Sequence, residues 1–404
     1  MKNHCTKHFL RAAALLALII YGGNILAQAQ SCSVTWTGNA GNGSWSTASN
    51  WSPRKVPGPT SDVCIPTFTT ADGAGLDGSS SSISVHSIQV AEGGSLLLGS
   101  GRVSIATSLT NQGFITLYGT TLSAASIALP SPGEIDVYDS SSITCPAFSN
   151  AAGTVSVGAG GTLRLADNPV QLQNGNLSGG NWLVSSGVLI FPSDISQITT
   201  QGTVAHGTVL SLDGTGSAVQ DASGHNALAT LTSVGSTAVL ALFDSASLTV
   251  AQGLTSQGVV DVSGSLTVNG TYTQASGAGT NMGGSLSATS VIVQTGSTLG
   301  GNGTVASSIT NNGTVAPQGI LTVTGNYAQT GGGALTEQFG STLQVNLNAA
   351  LSGPLNVTVN PKHPPKSGAT YTALTFGSLS GSFTSLTAGF TLTTNANSIV
   401  VRKL

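Results

Sequence analysis

The sequence predicts an all-β protein, a right-handed parallel β-helix with a β cap at each end. Three observations carry this. Residues 255–274 (TSQGVVDVSGSLTVNGTYTQ) align without a gap with residues 310–329 (TNNGTVAPQGILTVTGNYAQ), at an offset of 55 and with 10 identities in 20. Short β-branched runs alternate apolar and polar residues and end at Gly, Asn or Ser, as in Ser82-Ile83-Ser84-Val85, Thr154-Val155-Ser156-Val157 and Leu248-Thr249-Val250. No stretch after residue 29 shows helical periodicity over ten residues. Glycine-punctuated strand units that recur along a chain are the mark of stacked coils, each of which buries its apolar side only against its neighbours. The strands are unevenly spaced, which favours a β-helix over two or three antiparallel sandwiches with turns every 8–12 residues or so. An offset of 55 equals two long coils or three short ones. Roughly 280 residues of stack give on the order of a dozen coils at ~4.8 Å each, a rod of roughly 60 Å.

The elements follow in order. Lys2, Lys7 and Arg11 precede the apolar run Ala12 to Tyr21, and Ala27-Gln28-Ala29 is a small-residue cleavage site. Residues 1–29 therefore read as a signal peptide, with the mature chain starting at Gln30. Ten apolar residues are too few to span a bilayer, which takes about 20, and no transmembrane segment is expected in the mature chain. Residues 30–80 read as an N-terminal capping module, holding Trp36, Trp45 and Trp51 and the turns Gly41-Asn42-Gly43 and Pro57-Gly58-Pro59. Residues 81–361 read as the β-helix, with inward Val, Leu, Ile and Ala and with Asn and Thr laddered at the turns. Degenerate copies of the opening motif occur at Leu109-Thr110-Asn111-Gln112-Gly113 and Thr200-Gln201-Gly202-Thr203-Val204. Lys362 to Lys366 (KHPPK) is a connector, and residues 362–404 form a C-terminal β cap. Arg402 and Lys403 read as charge that blunts an open last edge.

Removing the signal leaves eight basic against 14 acidic residues, a net charge of −6. That disfavours nucleic acid and anionic membrane as partners. Val262 to Thr336 contains no Asp, Glu, Lys, Arg or His. Export permits disulfides, and Cys32–Cys64 is the expected pair because both lie in the N-terminal module. Cys145 is then the odd thiol, expected as a small buried hydrophobe.

Residues 295–359 resemble the autotransporter-associated β-strand repeat and the C-terminal part of autotransporter passengers. The matching residues are Leu299, Gly301, Gly303, Val305, Asn312, Gly313, Pro317, Leu321 to Val323, Gly325, Tyr327 and Gln329, with a close at Leu351, Gly353, Leu355 and Val357. The resemblance implies a β-helix in a bacterial, exported setting: extracellular, at the cell surface or in the periplasm. A translocator barrel of about 12 membrane strands is not expected in this chain.

Chemistry is sparse. Asp136 and Asp139 are three apart and face opposite sides of a strand. Asp213, Asp221 and His225 form the densest polar stretch, the best place for a polysaccharide-cleaving site. Asp72 to Asp77 faintly resembles one calcium nonapeptide, but such sites need stacked copies. His86, His206, His225 and His363 have no metal spacing. No catalytic, cofactor-binding or metal-binding residue is assigned. Trp36, Trp45 and Trp51 form either a glycan-stacking platform, as in a carbohydrate-binding module, or a buried cap, and Trp182 reads as core. The expectation is a non-catalytic β-helix of adhesin or matrix type, touching glycans, surface proteins or its own copies by multivalent contact along a Ser/Thr/Asn-rich face.

Overall fold

Alternation sends every second side chain of a strand to the same side, and stacking turns that local rule into a continuous core. A computed structural model describes residues 31–67, 76–77, 82–200 and 207–404. The signal-peptide reading of 1–29, most of the Asp72 to Asp77 segment, the 200–204 motif apart from Thr200, and His206 lie outside the described residues. The structure is 55% strand and 1% helix, and its strands pair in parallel, coil upon coil, into a β-solenoid of about 14 turns.

Each rung contributes to three faces. Face I runs from Ser95–Leu98 through Phe114–Leu117, Glu134–Val137 and Thr154–Val157 to Ala334–Gln338. Face II includes Ser140–Thr144 and Thr162–Leu165 and, after a break, Ser247–Val250 to Thr342–Val345. Face III includes Asp62–Ile65 and Ser87–Val90 near one end and Ile309–Asn311 and Tyr327–Gln329 near the other. Rungs vary from 16 residues (Thr298 opposite Thr314) to 36 (Gln197 opposite Ser233). This variation explains the uneven strand spacing in the sequence. Inward positions such as Leu117, Val137, Val157 and Val184 stack in columns and are buried. Each such side chain contributes about 1.5–3 kcal/mol of burial.

The 55-residue repeat resolves as three rungs. Tyr272 lies opposite Val291, Val291 opposite Ile309, and Ile309 opposite Tyr327. The two copies are thus three layers apart rather than neighbours. On face II the register slips by two: Leu266 stacks on Leu286, then Val305, then Val323, not Leu321. A two-residue slip keeps every side chain on its own side of the strand, so it costs the core nothing.

The N-terminal module is continuous with the stack. Val34–Trp36 pairs in parallel with Asp62–Ile65, which pairs in parallel with Ser87–Val90, so the module is the first layer of face III. Cys32 and Cys64 are joined there, with Cα atoms 5.7 Å apart, within the usual disulfide span. Cys145 is a buried free thiol. At the other end, Ser398–Lys403 is not an edge. It lies antiparallel between Thr370–Thr375 and Phe390–Thr394, so the edge is Phe390–Thr394. The Lys403 ammonium sits 5.0 Å from the Phe390 ring centroid.

Candidate functional site

The corners between face III and face I build the most distinctive surface. After Ser265–Gln274 and before Gly279–Met282 the corner has four residues, 275–278. The next corner, 294–297, also has four. The third, 312–313, has two, and the fourth, 330–333, again has four. One short corner between long ones leaves a notch. Ser276, Gln294, Thr295, Asn312, Thr330 and Gly332 line an open groove of about 610 Å3 there.

Buried amides brace three of these four corners, Asn at the two-residue one and Gln at two of the four-residue ones. At the two-residue corner, Asn311 Oδ1 accepts from Gly313 N at 3.1 Å and its Nδ2 donates to the Ala334 carbonyl at 2.9 Å. Asn111 makes the same two bonds to Gly113 N (3.0 Å) and the Glu134 carbonyl (2.7 Å) at its own two-residue corner. At the four-residue corners 275–278 and 330–333 the longer Gln takes over, whereas the 294–297 corner follows Val293 and is tied by Ser297, whose Oγ donates to the Gln294 carbonyl at 2.6 Å. Gln274 Nε2 donates to the Ala278 carbonyl at 3.0 Å, and Gln329 Nε2 to those of Gly333 and Pro354 at 3.1 and 3.0 Å. Tyr327 is fully buried, receives Asn311 Nδ2 at 2.9 Å and donates to Gln329 Oε1 at 3.1 Å. Tyr272 OH shares a 2.6 Å hydrogen bond with Thr280 Oγ1, and burial pushes its phenol up to about 12. The repeat residues Asn, Gln and Tyr are therefore internal braces. The groove is lined by the residues between them.

Its lining offers hydroxyls, primary amides and glycine backbone. Thr295 Oγ1 and Thr330 Oγ1 donate to corner carbonyls, while among the described residues the Gln294 and Asn312 amides face outward, unused by the chain. The stretch 262–336 holds no Asp, Glu, Lys, Arg or His. The groove can hydrogen-bond a polar, uncharged ligand without desolvating an ion, and it has no group with which to transfer a proton at neutral pH.

Ionisable groups lie elsewhere. Glu134 and Asp136 project outward from one face I strand whose alternate residues Ile135 and Val137 are buried. Asp136 has its partner in Glu134, two residues away, and not in Asp139, whose Oδ1 accepts from Ser140 N. Burial, the Asp136 charge and a hydrogen bond between the two carboxyls push Glu134 up to about 7. Burial also raises Asp136. Both carboxyls are thus held above the ordinary carboxylate range. One rung earlier, Phe114 lies opposite Glu134. Tyr118 and Tyr138 stack with centroids 5.5 Å apart. These three are the exposed aromatics among the described residues. The sequence signal for this patch was a spacing of 20, from Phe114 to Glu134 and from Tyr118 to Tyr138.

The other sequence candidates disperse. Trp36, Trp45 and Trp51 are buried and meet edge to face, with centroids 5.0 Å apart (Trp36–Trp51) and 4.8 Å apart (Trp45–Trp51). Trp51 Nε1 donates to the Trp45 carbonyl at 2.8 Å. Their rings are turned to each other inside the first layer. Asn50 staples the Gly41-Asn42-Gly43 turn beneath them by donating to Asn42 Oδ1 and the Ser44 carbonyl. Trp182 is buried against Phe148 and Phe191. Asp213 ends a face I strand, whereas Asp221 follows the face II strand Ala218–Gln220. Asp221 Oδ1 accepts from Ser223 N and His225 N, an Asx-type turn. His225 stands 3.4 Å from Asp221 with its ring in solvent. His86 Nδ1 lies 2.7 Å from Asp62 Oδ1, with Ser87 on the same oxygen. Ser87 thus bonds the acid rather than the imidazole, unlike a nucleophile with its base. No cluster of three metal-ligating side chains occurs, and no helix is long and apolar enough to cross a membrane, among the described residues.

No family model matches the chain, and no curated protein matches it in sequence. The resemblance to autotransporter passengers therefore rests on residues 295–359, and the part of it that the structure shows is the β-solenoid.

Proposed function

We propose that this is an exported, non-catalytic solenoid of adhesin or matrix type that binds glycans or other surface partners by multivalent contact along its uncharged corners. The carrying observation is the groove at 312–313, lined by hydroxyl, amide and glycine groups within a stretch that lacks Asp, Glu, Lys, Arg and His. Successive rungs repeat such groups every ~4.8 Å, so a chain-like ligand meets similar donors and acceptors at each step. Weak contacts in series raise the overall affinity without any deep pocket. Export follows from the residue 1–29 pattern, and the bacterial surface setting from the autotransporter-like motif.

The test is a binding screen of residues 30–404 against neutral glycans, acidic glycans and matrix proteins, with Asn312→Ala and Gln294→Ala as variants. Binding that is weakened by both variants and is insensitive to salt supports the reading. Silence against every class, or binding that vanishes in salt and ignores both variants, defeats it. Glu134 and Asp136, carboxyls raised by burial beside exposed aromatics, motivate a second reading, a polysaccharide-cleaving surface on face I. Cleavage abolished by Asp136→Asn would establish it.

A further inference from the structure

The two ends of the stack are finished differently. At the N-terminal end the outer edge of Val34–Trp36 is taken by the antiparallel strand Trp51–Ser52. At the C-terminal end face II is covered in the same way, because Ser398–Lys403 runs antiparallel along Thr370–Thr375. Faces III and I lack such a cover. Ser378–Leu386 stacks in parallel on Asn348–Thr358 and, among the described residues, forms no ladder on its other side. Leu379, Phe383 and Leu386 are only half-buried, although their counterparts one rung earlier, Ala349, Gly353 and Leu355, are buried. The core thus ends in apolar side chains that reach water, beside a row of open backbone groups. Natural edges are blunted with Lys, Pro or inward charge, yet residues 369–401 contain no Pro, Asp, Glu, Lys, Arg or His.

We propose that this rung is a self-association surface, on which two copies of the chain meet tail to tail through antiparallel pairing of Ser378–Leu386 with its own counterpart. Shape selects the occupant. The strand bends from face III to face I at Gly381 (φ 70°), and Thr384 is an extra residue between the pairs Phe383–Gly353 and Ser385–Pro354. A straight peptide cannot follow that bend. A second copy can, since a twofold axis through Ser382, the midpoint of the strand, lays each bend on the other. Charge permits the contact, because two uncharged edges meet without repulsion. The covered edge of Val34–Trp36 blocks head-to-tail stacking on face III, so the assembly closes as a dimer and does not grow into filaments.

Sedimentation velocity of residues 30–404 over a concentration series tests this. The wild type is expected to pass from monomer to dimer with rising concentration. Ser382→Lys and Ser382→Glu place like charges at the axis, and each is expected to remain monomeric with an unchanged circular dichroism spectrum. Mixing the two restores a dimer, because position 382 then faces its opposite charge. A wild type that stays monomeric at every soluble concentration overturns the proposal. So does a dimer that persists in both charge variants, growth into filaments, or a mixture of folded variants that stays monomeric.

Discussion

Gly313 isolates how closely the rungs approach. A Cβ added there would run into the Gln294 carbonyl oxygen and stand 2.7 Å from that of Ser297. Ordinary heavy-atom contact begins near 3.5 Å, so relief demands that two rungs separate locally by about 1 Å out of their ~4.8 Å spacing. Three hydrogen bonds oppose that movement: Thr314 N to the Ser297 carbonyl at 2.9 Å, Ala334 N to the Gly313 carbonyl at 2.7 Å, and Gly313 N to Asn311 Oδ1 at 3.1 Å. Overpacking costs roughly 1–3 kcal/mol, and each strained hydrogen bond adds about 0.5–1.5 kcal/mol. Gly313→Ala should therefore destabilise its rungs by about 3 kcal/mol. Gly279 is the internal control, since nothing lies within 4 Å of its added Cβ. Gly279→Ala should be neutral or stabilising by about 0.4–1 kcal/mol, through the unfolded chain. Because solenoids open locally, the assay is amide hydrogen exchange across 290–335 together with the denaturant midpoint. Equal protection in the two variants would refute the close-approach argument.

Two further outcomes follow from the corner braces and the buried acid. Asn311→Ala strands Gly313 N and the Ala334 carbonyl and leaves the Tyr327 hydroxyl with Gln329 alone, and should lower stability by about 2–4 kcal/mol in denaturant titration. Asn312→Ala, one residue away on the surface, should stay within about 0.5 kcal/mol. Glu337 is fully buried, one carboxyl oxygen has no partner, and Tyr371 OH donates to the other at 3.2 Å. Burial holds this carboxyl well above its ordinary range, opposed in part by the Tyr371 hydrogen bond. A folded-state value raised above the unfolded one gives stability that is complete below about pH 4.3 and is lost as pH rises through the folded value. Wild-type melting temperature should accordingly fall with rising pH, and Glu337→Gln should flatten the profile. A variant as steep as wild type would place the effect elsewhere, for instance at Glu134 and Asp136, which act with the same sign.

Much of the architecture is local and therefore legible. Thr154-Val155-Ser156-Val157 announces which residues point inward, because strand periodicity needs no partner. The corner motif is legible once Asn-x-Gly is seen as a two-residue turn braced by its own amide. The approach of the Gln294 carbonyl to Gly313 is not, because it depends on which rung lies beneath. The carboxyl pair divides the same way. Glu134 and Asp136 are two apart and share a side by alternation alone, but their placement beside Phe114, Tyr118 and Tyr138 depends on rung length.

By itself the sequence determined an all-β stack, its inward and outward residues, the uncharged stretch and the Cys32–Cys64 pairing. Tertiary structure decided that the 55-residue repeat is three rungs, that the three N-terminal tryptophans turn inward, that a shortened corner opens a groove, and that one end of the stack keeps an open edge. The physical reason is one of range. Side-chain alternation and turn chemistry act over two to four residues. Register between rungs is set by contacts 16–36 residues apart, where a slip of two leaves the hydrophobic pattern unchanged.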